Sequence, residues 1–293
     1  MTKEEFTKLA QNMVILDGAT GSNLMKAGMP RGVCAEQWIL EHEQSLIDLQ
    51  RAYVEAGSQI VCAPTFGANR INLSMHGLQD QLGDMNKRLV EMSQRATEGR
   101  AYVAGDMSTG GKRIGSSEEA TYEEAYERYR EQITFLVSAG VDLLIVETMI
   151  SIDETAAALE AAQAVCDLPV LCSMTVEADG SLFFGGNVLE AMETLQEMGA
   201  SAVGINCSLG PDQLEAVVSN LKKIARVPVI AKPNAGLPTI NEKGEALYSM
   251  EPEDFGYYMK KLADAGAGVI GGCCGTTPEY IRQMCRQVME LSV

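Results

Sequence analysis

Short apolar runs alternate along this chain with longer segments in which apolar residues return every three or four positions. The runs are VILDGA (14–19), QIVCAPTF (59–66), AYVAGDM (101–107), DLLIVETM (142–149), PVLCSMTV (169–176), AVGINCS (202–208), PVIAKPNA (228–235) and GVIGGCC (268–274). Each is nearly continuous in apolar character, the pattern of a strand buried on both faces. Between them, segments 45–57, 123–140, 153–165, 187–199 and 211–225 carry helical spacing, and Gly57, Gly140, Gly199 and Gly266 stand where helices would stop. Eight strand–helix units predict an α/β fold, a single (β/α)8 TIM barrel, with a doubly wound open sheet as the competing architecture. No linker or low-complexity tract interrupts the pattern, so residues 1–293 read as one domain. A short helix over about residues 3–12 is expected to cover the barrel bottom.

In such a barrel the chemistry gathers where the strands run out at their C-terminal ends. The candidates there are Asp17, Thr65, Asp106, Glu147, Thr175, Asn206, Cys207, Asn234, Cys273 and Cys274. A polar residue at a strand end is weak evidence alone, because turns favour polar residues anyway.

Composition narrows the function classes. Forty acidic against 23 basic residues give a net charge of −17. Such a surface repels phosphate backbones and anionic lipid, which argues against nucleic acid and membrane as partners. No apolar run approaches the roughly 20 residues that span a bilayer, and the polar opening MTKEEFTKLAQNM has no character of a targeting segment. Eight cysteines scattered through a long chain fit a reducing compartment, so a cytoplasmic location is expected. The two histidines, His42 and His76, lie in polar surroundings and read as solvated surface residues. Histidine triads and histidine-rich metal sites are therefore poorly supported, and the chemistry falls to cysteines, carboxylates and backbone.

The adjacent pair Cys273–Cys274, set among Gly271, Gly272 and Gly275, is unsuited to a disulfide between neighbours. With Cys207 at the end of the sixth strand, three thiolates can converge at the barrel mouth. Two readings stay open on the residues alone. The three sulfurs are small buried hydrophobes, as Cys34, Cys62, Cys166, Cys172 and Cys285 are expected to be; or they hold one metal ion. The metal of choice is zinc, with three protein ligands and an open fourth position, which is a catalytic arrangement. The glycines would then let the backbone twist so that successive side chains face one centre. A zinc with three thiolates is a weak Lewis acid but binds a further thiol well and keeps it deprotonated. That chemistry points to alkyl transfer onto a substrate sulfur. Asp17 and Glu147 are carboxylates able to receive an ammonium group, and Gly18 with its neighbours offers backbone N–H groups to a carboxylate. The competing readings are a turn residue for Asp17 and a salt-bridged barrel residue for Glu147.

The phrases ILDGATG, PTFGAN, GD, VET, GINCSLGP, KPNAGLP and GGCCGTTPE, in that order over nearly the whole chain, resemble the homocysteine S-methyltransferase (homocysteine-binding) domain. That domain is shared by cobalamin-dependent methionine synthase and betaine–homocysteine methyltransferase. The resemblance implies a (β/α)8 barrel, a zinc ion on Cys207, Cys273 and Cys274, and a homocysteine ammonium on Asp17 and Glu147. It is closer to the methionine synthase barrel, and methionine synthase is multidomain. One barrel alone then implies a methyl-corrinoid (methylcobalamin) donor carried by a separate protein that docks at the mouth. CAPTF in place of an ETNTF-like phrase and GDMSTGGK in place of a GPTG-like turn both depart from the pattern on the expected donor side. Asn234, ending the seventh strand, is placed to fill the fourth zinc position before substrate arrives. A competing donor is betaine or S-methylmethionine; a betaine site is expected to show a cage of aromatic side chains around the quaternary nitrogen, and the few aromatics here, Trp38 with Phe66, Phe183 and Phe184 near the strand ends, lean against it. A non-enzymatic alternative is a zinc-binding, thiol-sensing module, which would supply four protein ligands and ignore added homocysteine.

Overall fold

A computed structural model describes residues 1–109, 121–183, 185–207, 209–241 and 246–289. Eight strands form one parallel sheet: β1 (Val14–Ile15), β2 (Ile60–Cys62), β3 (Tyr102–Met107), β4 (Leu143–Met149), β5 (Val170–Met174), β6 (Ala202–Asn206), β7 (Val229–Lys232) and β8 (Ala267–Ile270). Their order is β1-β8-β7-β6-β5-β4-β3-β2, every hydrogen-bonded neighbour parallel. The nearly closed sheet, with helices between successive strands, is the (β/α)8 barrel that the eightfold alternation predicts. The open sheet is thereby set aside.

The seam between β1 and β2 is bridged by side chains as well as backbone. Gln59 N–H donates to the Ile15 carbonyl at 2.8 Å, and Ile15 N–H donates back to Gln59 Oε1 at 3.0 Å. One step further along, Cys62 N–H donates to Asp17 Oδ2 at 2.8 Å. Asp17 thus has a structural duty in closing the barrel.

Strand periodicity sorts the apolar residues into two layers. Leu16, Ile60, Leu143, Ile145, Leu171, Ile230 and Val269 gather in one cluster with Phe6 of the N-terminal helix. Their neighbours Ile15, Val61, Leu144, Val146, Val203 and Ile270 join a larger cluster with helix residues such as Tyr53, Ile133, Leu136 and Leu159. The first cluster fills the barrel and the second glues helices to its outside. Phe6, on the helix Lys3–Leu9, plugs the bottom as expected. That helix is held by a capping box between Thr2 and Glu5.

The strands stop short of their apolar runs, mostly at the C-terminal ends: residues 14–19 yield Val14–Ile15, and 228–235 yield Val229–Lys232. The surplus residues leave the ladder to build the loops at the mouth. Gly57, Gly140, Gly199 and Gly266 all follow helices with positive φ, from 83° to 117°, as the stop signals require. The predicted helix 211–225 splits into a single 3-10 turn, Pro211–Gln213, and the helix Glu215–Ile224. A feature the periodicity does not announce is an antiparallel hairpin, Thr239–Ile240 with Ala246–Leu247, rising from the loop after β7. Among the described residues no helix is long and apolar enough to cross a membrane.

Candidate functional site

A cavity of about 660 Å³ opens at the C-terminal ends of the strands. Cys207, immediately after β6, and Cys273 and Cys274, just after β8, lie on its wall. Strands β6 and β8 flank β7 on either side, so the sheet order brings these distant cysteines together. Their sulfurs all lie within 4.8 Å of one another, and Cys207 Sγ is 4.0 Å from Cys274 Sγ. Three sulfurs at about 2.3 Å from a tetrahedral centre would sit about 3.8 Å apart. The donor set therefore fits one metal ion. Among the described residues it is the group of three ligating side chains that does so.

The loop after β8 is fixed by backbone bonds. Cys273 N–H donates to the Pro233 carbonyl at 2.7 Å, and Ala235 N–H donates to the Cys274 carbonyl at 2.9 Å. Gly275 turns with φ +84°. Gly272 has no such φ; a Cβ there would lie 2.4 Å from Thr276 Oγ1. Of the glycines expected to supply a twist, Gly275 does so, while Gly271 and Gly272 are required by close packing. Cys207 itself sits at φ 60°, in the left-handed region, a conformation costly for a side-chain-bearing residue and most often found at sites of function.

The electrostatics of the trio favour a cation. Hydrogen bonds from the Cys207 and Cys273 thiols hold Cys274 far down, to about 3, whereas hydrogen bonding to Cys207 and Cys274, with burial, pushes Cys273 well up. One thiolate is stabilised by its neighbours; further ionisation is opposed by like charge. A divalent ion removes that opposition.

Beside the cysteines lies a group of buried charges. Glu147 and Asp106 are on the cavity wall, each 5% exposed; Asp17, 1% exposed, is set behind it. The cation among them is Lys232, the last residue of β7 and 4% exposed. Its Nζ donates to Glu147 Oε2 at 2.8 Å and lies 3.9 Å from Asp17 Oδ1 and from Cys62 Sγ. Burial works against the charge on Lys232, but Cys62, Glu147 and Asp17 outweigh it and hold the ammonium well above its ordinary pKa. Burial pushes Asp17 up to about 6 even with Lys232 opposing.

Glu147 is aimed by its successor. Thr148 adopts φ 58°, an outlier for a β-branched residue. Asn206 clamps it: Thr148 N–H donates to Asn206 Oδ1 and Asn206 Nδ2 donates to Thr148 Oγ1, both at 2.7 Å. Ser173 Oγ also donates to Asn206 Oδ1, at 2.9 Å. Asp106 is held through its backbone. Its N–H donates to Thr65 Oγ1 at 3.1 Å, and Thr65 Oγ1 donates to its carbonyl at 2.8 Å.

The strand-end candidates thus divide. Cys207, Cys273, Cys274, Glu147, Asp106 and Gly18 line the cavity, whereas Asp17, Thr65, Thr175, Asn206 and Asn234 are buried behind the wall. Asn234 is next to both residues that bond the Cys273–Cys274 backbone, and its buried Oδ1 accepts no hydrogen bond. Cys62 is buried in the barrel core as expected and also touches the cavity wall, whereas Cys166, expected in the core, is half-buried. Lys232 is not among the strand-end candidates that the sequence offers. Its signal was a lone charge inside an otherwise apolar strand run. Of the aromatic candidates, Phe66 lines the cavity, joined by Tyr248 of the hairpin region. Trp38 is buried against His42, Phe183 is exposed off the wall, and Phe184 lies outside the described residues.

A family model described as Homocysteine S-methyltransferase matches residues 14–288. Methionine synthase of Mycobacterium leprae (strain TN) is 31% identical over 300 residues, 96% of this chain and 24% of that protein. Methionine synthase of Mycobacterium tuberculosis (strain ATCC 25618 / H37Rv) is 30% identical over 303 residues, 97% of this chain and 25% of that protein. The chain spans about a quarter of the length of these relatives. Crystal structures of the homocysteine methyltransferase MmuM from Escherichia coli share the fold. Its oxidized form superposes with TM-score 0.81 at 23% identity, covering 97% of this chain and 99% of that one. The metallated form gives 0.81 at 22%, covering 98% and 99%.

Proposed function

The chain belongs to the homocysteine S-methyltransferase family, and on that premise we propose that it methylates the sulfur of L-homocysteine to give methionine, with zinc as its metal. The observation that carries this reading is the convergence of three cysteine sulfurs within 4.8 Å on the wall of a cavity that also holds buried carboxylates. Cys207, Cys273 and Cys274 would hold the ion. When bound, zinc supplies a thiol ligand with enough acidity to stay ionised, and hence nucleophilic, at neutral pH.

The remaining work falls to the protein's own residues. The carboxylate group around Asp17 and Glu147 takes the ammonium end of the substrate, and backbone at Gly18 faces its carboxylate. Lys232 orients Glu147 through its 2.8 Å contact to Oε2. The substrate sulfur forms its new bond to the methyl carbon as the carbon–donor bond breaks, with that electron pair staying on the donor. The thiol proton has by then left, so no side chain need act as general base in the transfer itself.

The donor we favour is a methyl-corrinoid on a separate protein docking at the cavity mouth. Support comes from the methionine-synthase-like phrases and from the sparse aromatic lining: among the described residues, Phe66 and Tyr248 are too few for a full cage around a quaternary nitrogen. The deciding assay incubates zinc-loaded protein and homocysteine in parallel with methylcobalamin, betaine and S-methylmethionine, and measures methionine. Methionine from methylcobalamin alone is expected. Turnover with betaine or S-methylmethionine moves the assignment to an onium donor. No methionine from any donor, with zinc bound by four protein ligands, would favour the thiol-sensing reading.

Asn234 is assigned as the fourth ligand of the substrate-free site, on the strength of its unpartnered buried Oδ1. X-ray absorption on zinc-loaded Asn234→Ala should show the resting coordination altered from that of the unmodified protein. Identical spectra remove the assignment.

A further inference from the structure

We propose that Tyr248 shields Cys274 from alkylation, so that the methyl group goes to the substrate sulfur and not to a sulfur of the protein. The inference rests on the zinc site proposed above and gives the hairpin beside the mouth a role. Three thiolates that receive a substrate thiol make four sulfurs of one chemical kind, and the thiolate is the nucleophilic form of each. Methylation of a cysteine would turn an anionic ligand into a neutral thioether and spoil the site, so something must separate the sulfur that reacts from those that hold the ion.

Tyr248 follows directly on the second hairpin strand, Ala246–Leu247, whose Leu247 pairs with Thr239. It is half-buried on the cavity wall. Its ring lies over Gly275: a Cβ at that glycine would be 2.4 Å from Tyr248 Cγ. Two residues on, Met250 N–H donates to the Ala235 carbonyl at 3.4 Å, and the Met250 carbonyl accepts from the Tyr280 hydroxyl at 2.6 Å. Ala235 N–H in turn donates to the Cys274 carbonyl at 2.9 Å. The tyrosine and the cysteine are therefore both tied to the loop after β7. From that position the Tyr248 hydroxyl donates a hydrogen bond to the Cys274 sulfur. An O–H donor on a thiolate makes a charge-assisted bond, stronger than one between neutral groups. Alkylation removes the charge from the sulfur, so the bond weakens on the way to the transition state. It stabilises the resting thiolate more than the reacting one and raises the barrier to methylating Cys274.

The test treats zinc-saturated protein, free of homocysteine, with methyl iodide and follows the initial rates of S-methylcysteine formation at Cys207, Cys273 and Cys274 by peptide mass spectrometry. In this reaction a cysteine sulfur bonds the methyl carbon as the carbon–iodine bond breaks, and iodide leaves with the electron pair. Tyr248→Phe keeps the ring against Gly275 and removes only the hydroxyl. Methylation of Cys274 should be about fivefold or more faster in the variant, with Cys207 and Cys273 within about twofold of their rates in the unmodified protein. Equal acceleration at all three sulfurs would mean that the tyrosine only limits access, and an unchanged rate at Cys274 would mean that its hydroxyl does not restrain the sulfur; either result overturns the proposal. X-ray absorption showing one oxygen fewer around the zinc in Tyr248→Phe would also overturn it, because the hydroxyl would then be a metal ligand. If the unmodified protein binds no zinc, the metal reading itself is wrong, a result distinct from failure of Tyr248 alone.

Discussion

Replacing any one of Cys207, Cys273 or Cys274 by alanine is expected to strip the metal of the proposed zinc site and, with it, the proposed methyl transfer. Removing even an outer-sphere partner of a metal ligand costs about 10–100-fold in affinity, so losing one of three direct ligands should exceed about 100-fold. The measurement is metal content by mass spectrometry after gel filtration, paired with methionine formation. Zinc should fall from near stoichiometric to a trace in all three variants. The fold should survive, because none of the three belongs to the apolar clusters of the barrel and each is only half-buried. Full turnover by a zinc-free variant would refute the metal reading. A variant that keeps its zinc would show that the three sulfurs do not act as one ligand set.

Lys232→Met is expected to be the most destabilising single change near the site. It leaves Glu147, Asp17 and Asp106 buried with no cation among them. Breaking a buried pair from one side typically costs about 3–5 kcal/mol, which for a chain of this size corresponds to a melting temperature lower by roughly 10 °C. Part of the loss should be recovered in Lys232→Met/Glu147→Gln, since the double change removes both members of the 2.8 Å pair. The deficit should also depend on pH. Asp17 has a folded pKa of about 6 against an ordinary 3.8. Between those values the folded state holds more protons than the unfolded state, so stability falls as pH rises through the window. Removing Lys232 takes away the charge that opposes this rise, so the window extends upward. The variant should therefore lose more at pH 8 than at pH 5.5. A melting temperature within about 1 °C of the unmodified protein at pH 8 would mean that the carboxylates are neutral without Lys232.

The chain's own order of residues was enough to give the eight strands, the helices between them and the bottom plug at Phe6. Those follow from local periodicity and from stop signals such as Gly57 and Gly140, which act over a few residues. The sulfurs were legible for a similar reason: GINCS and GGCC end apolar runs, and a barrel points all such ends one way. Asp17 and Glu147 were legible as strand-end carboxylates, but not their difference. Both end apolar runs, yet one lies on the cavity wall and the other behind it, closing the seam to β2 through Cys62 N–H.

What only the tertiary structure decided is which charge faces which. Lys232 reaches Glu147 across 85 positions of sequence, and the buried Oδ1 of Asp106 has no hydrogen bond among the described residues. The clamp of Asn206 on Thr148, the left-handed turn at Cys207 and the hairpin beside the mouth are of the same kind. The physical reason is range. A strand's period fixes the two faces of each element, but the wall of a cavity is set by the stagger between strands that pair across the sheet. Burial then fixes which ionised groups must find partners, and that constraint is met by whatever the stagger places within reach.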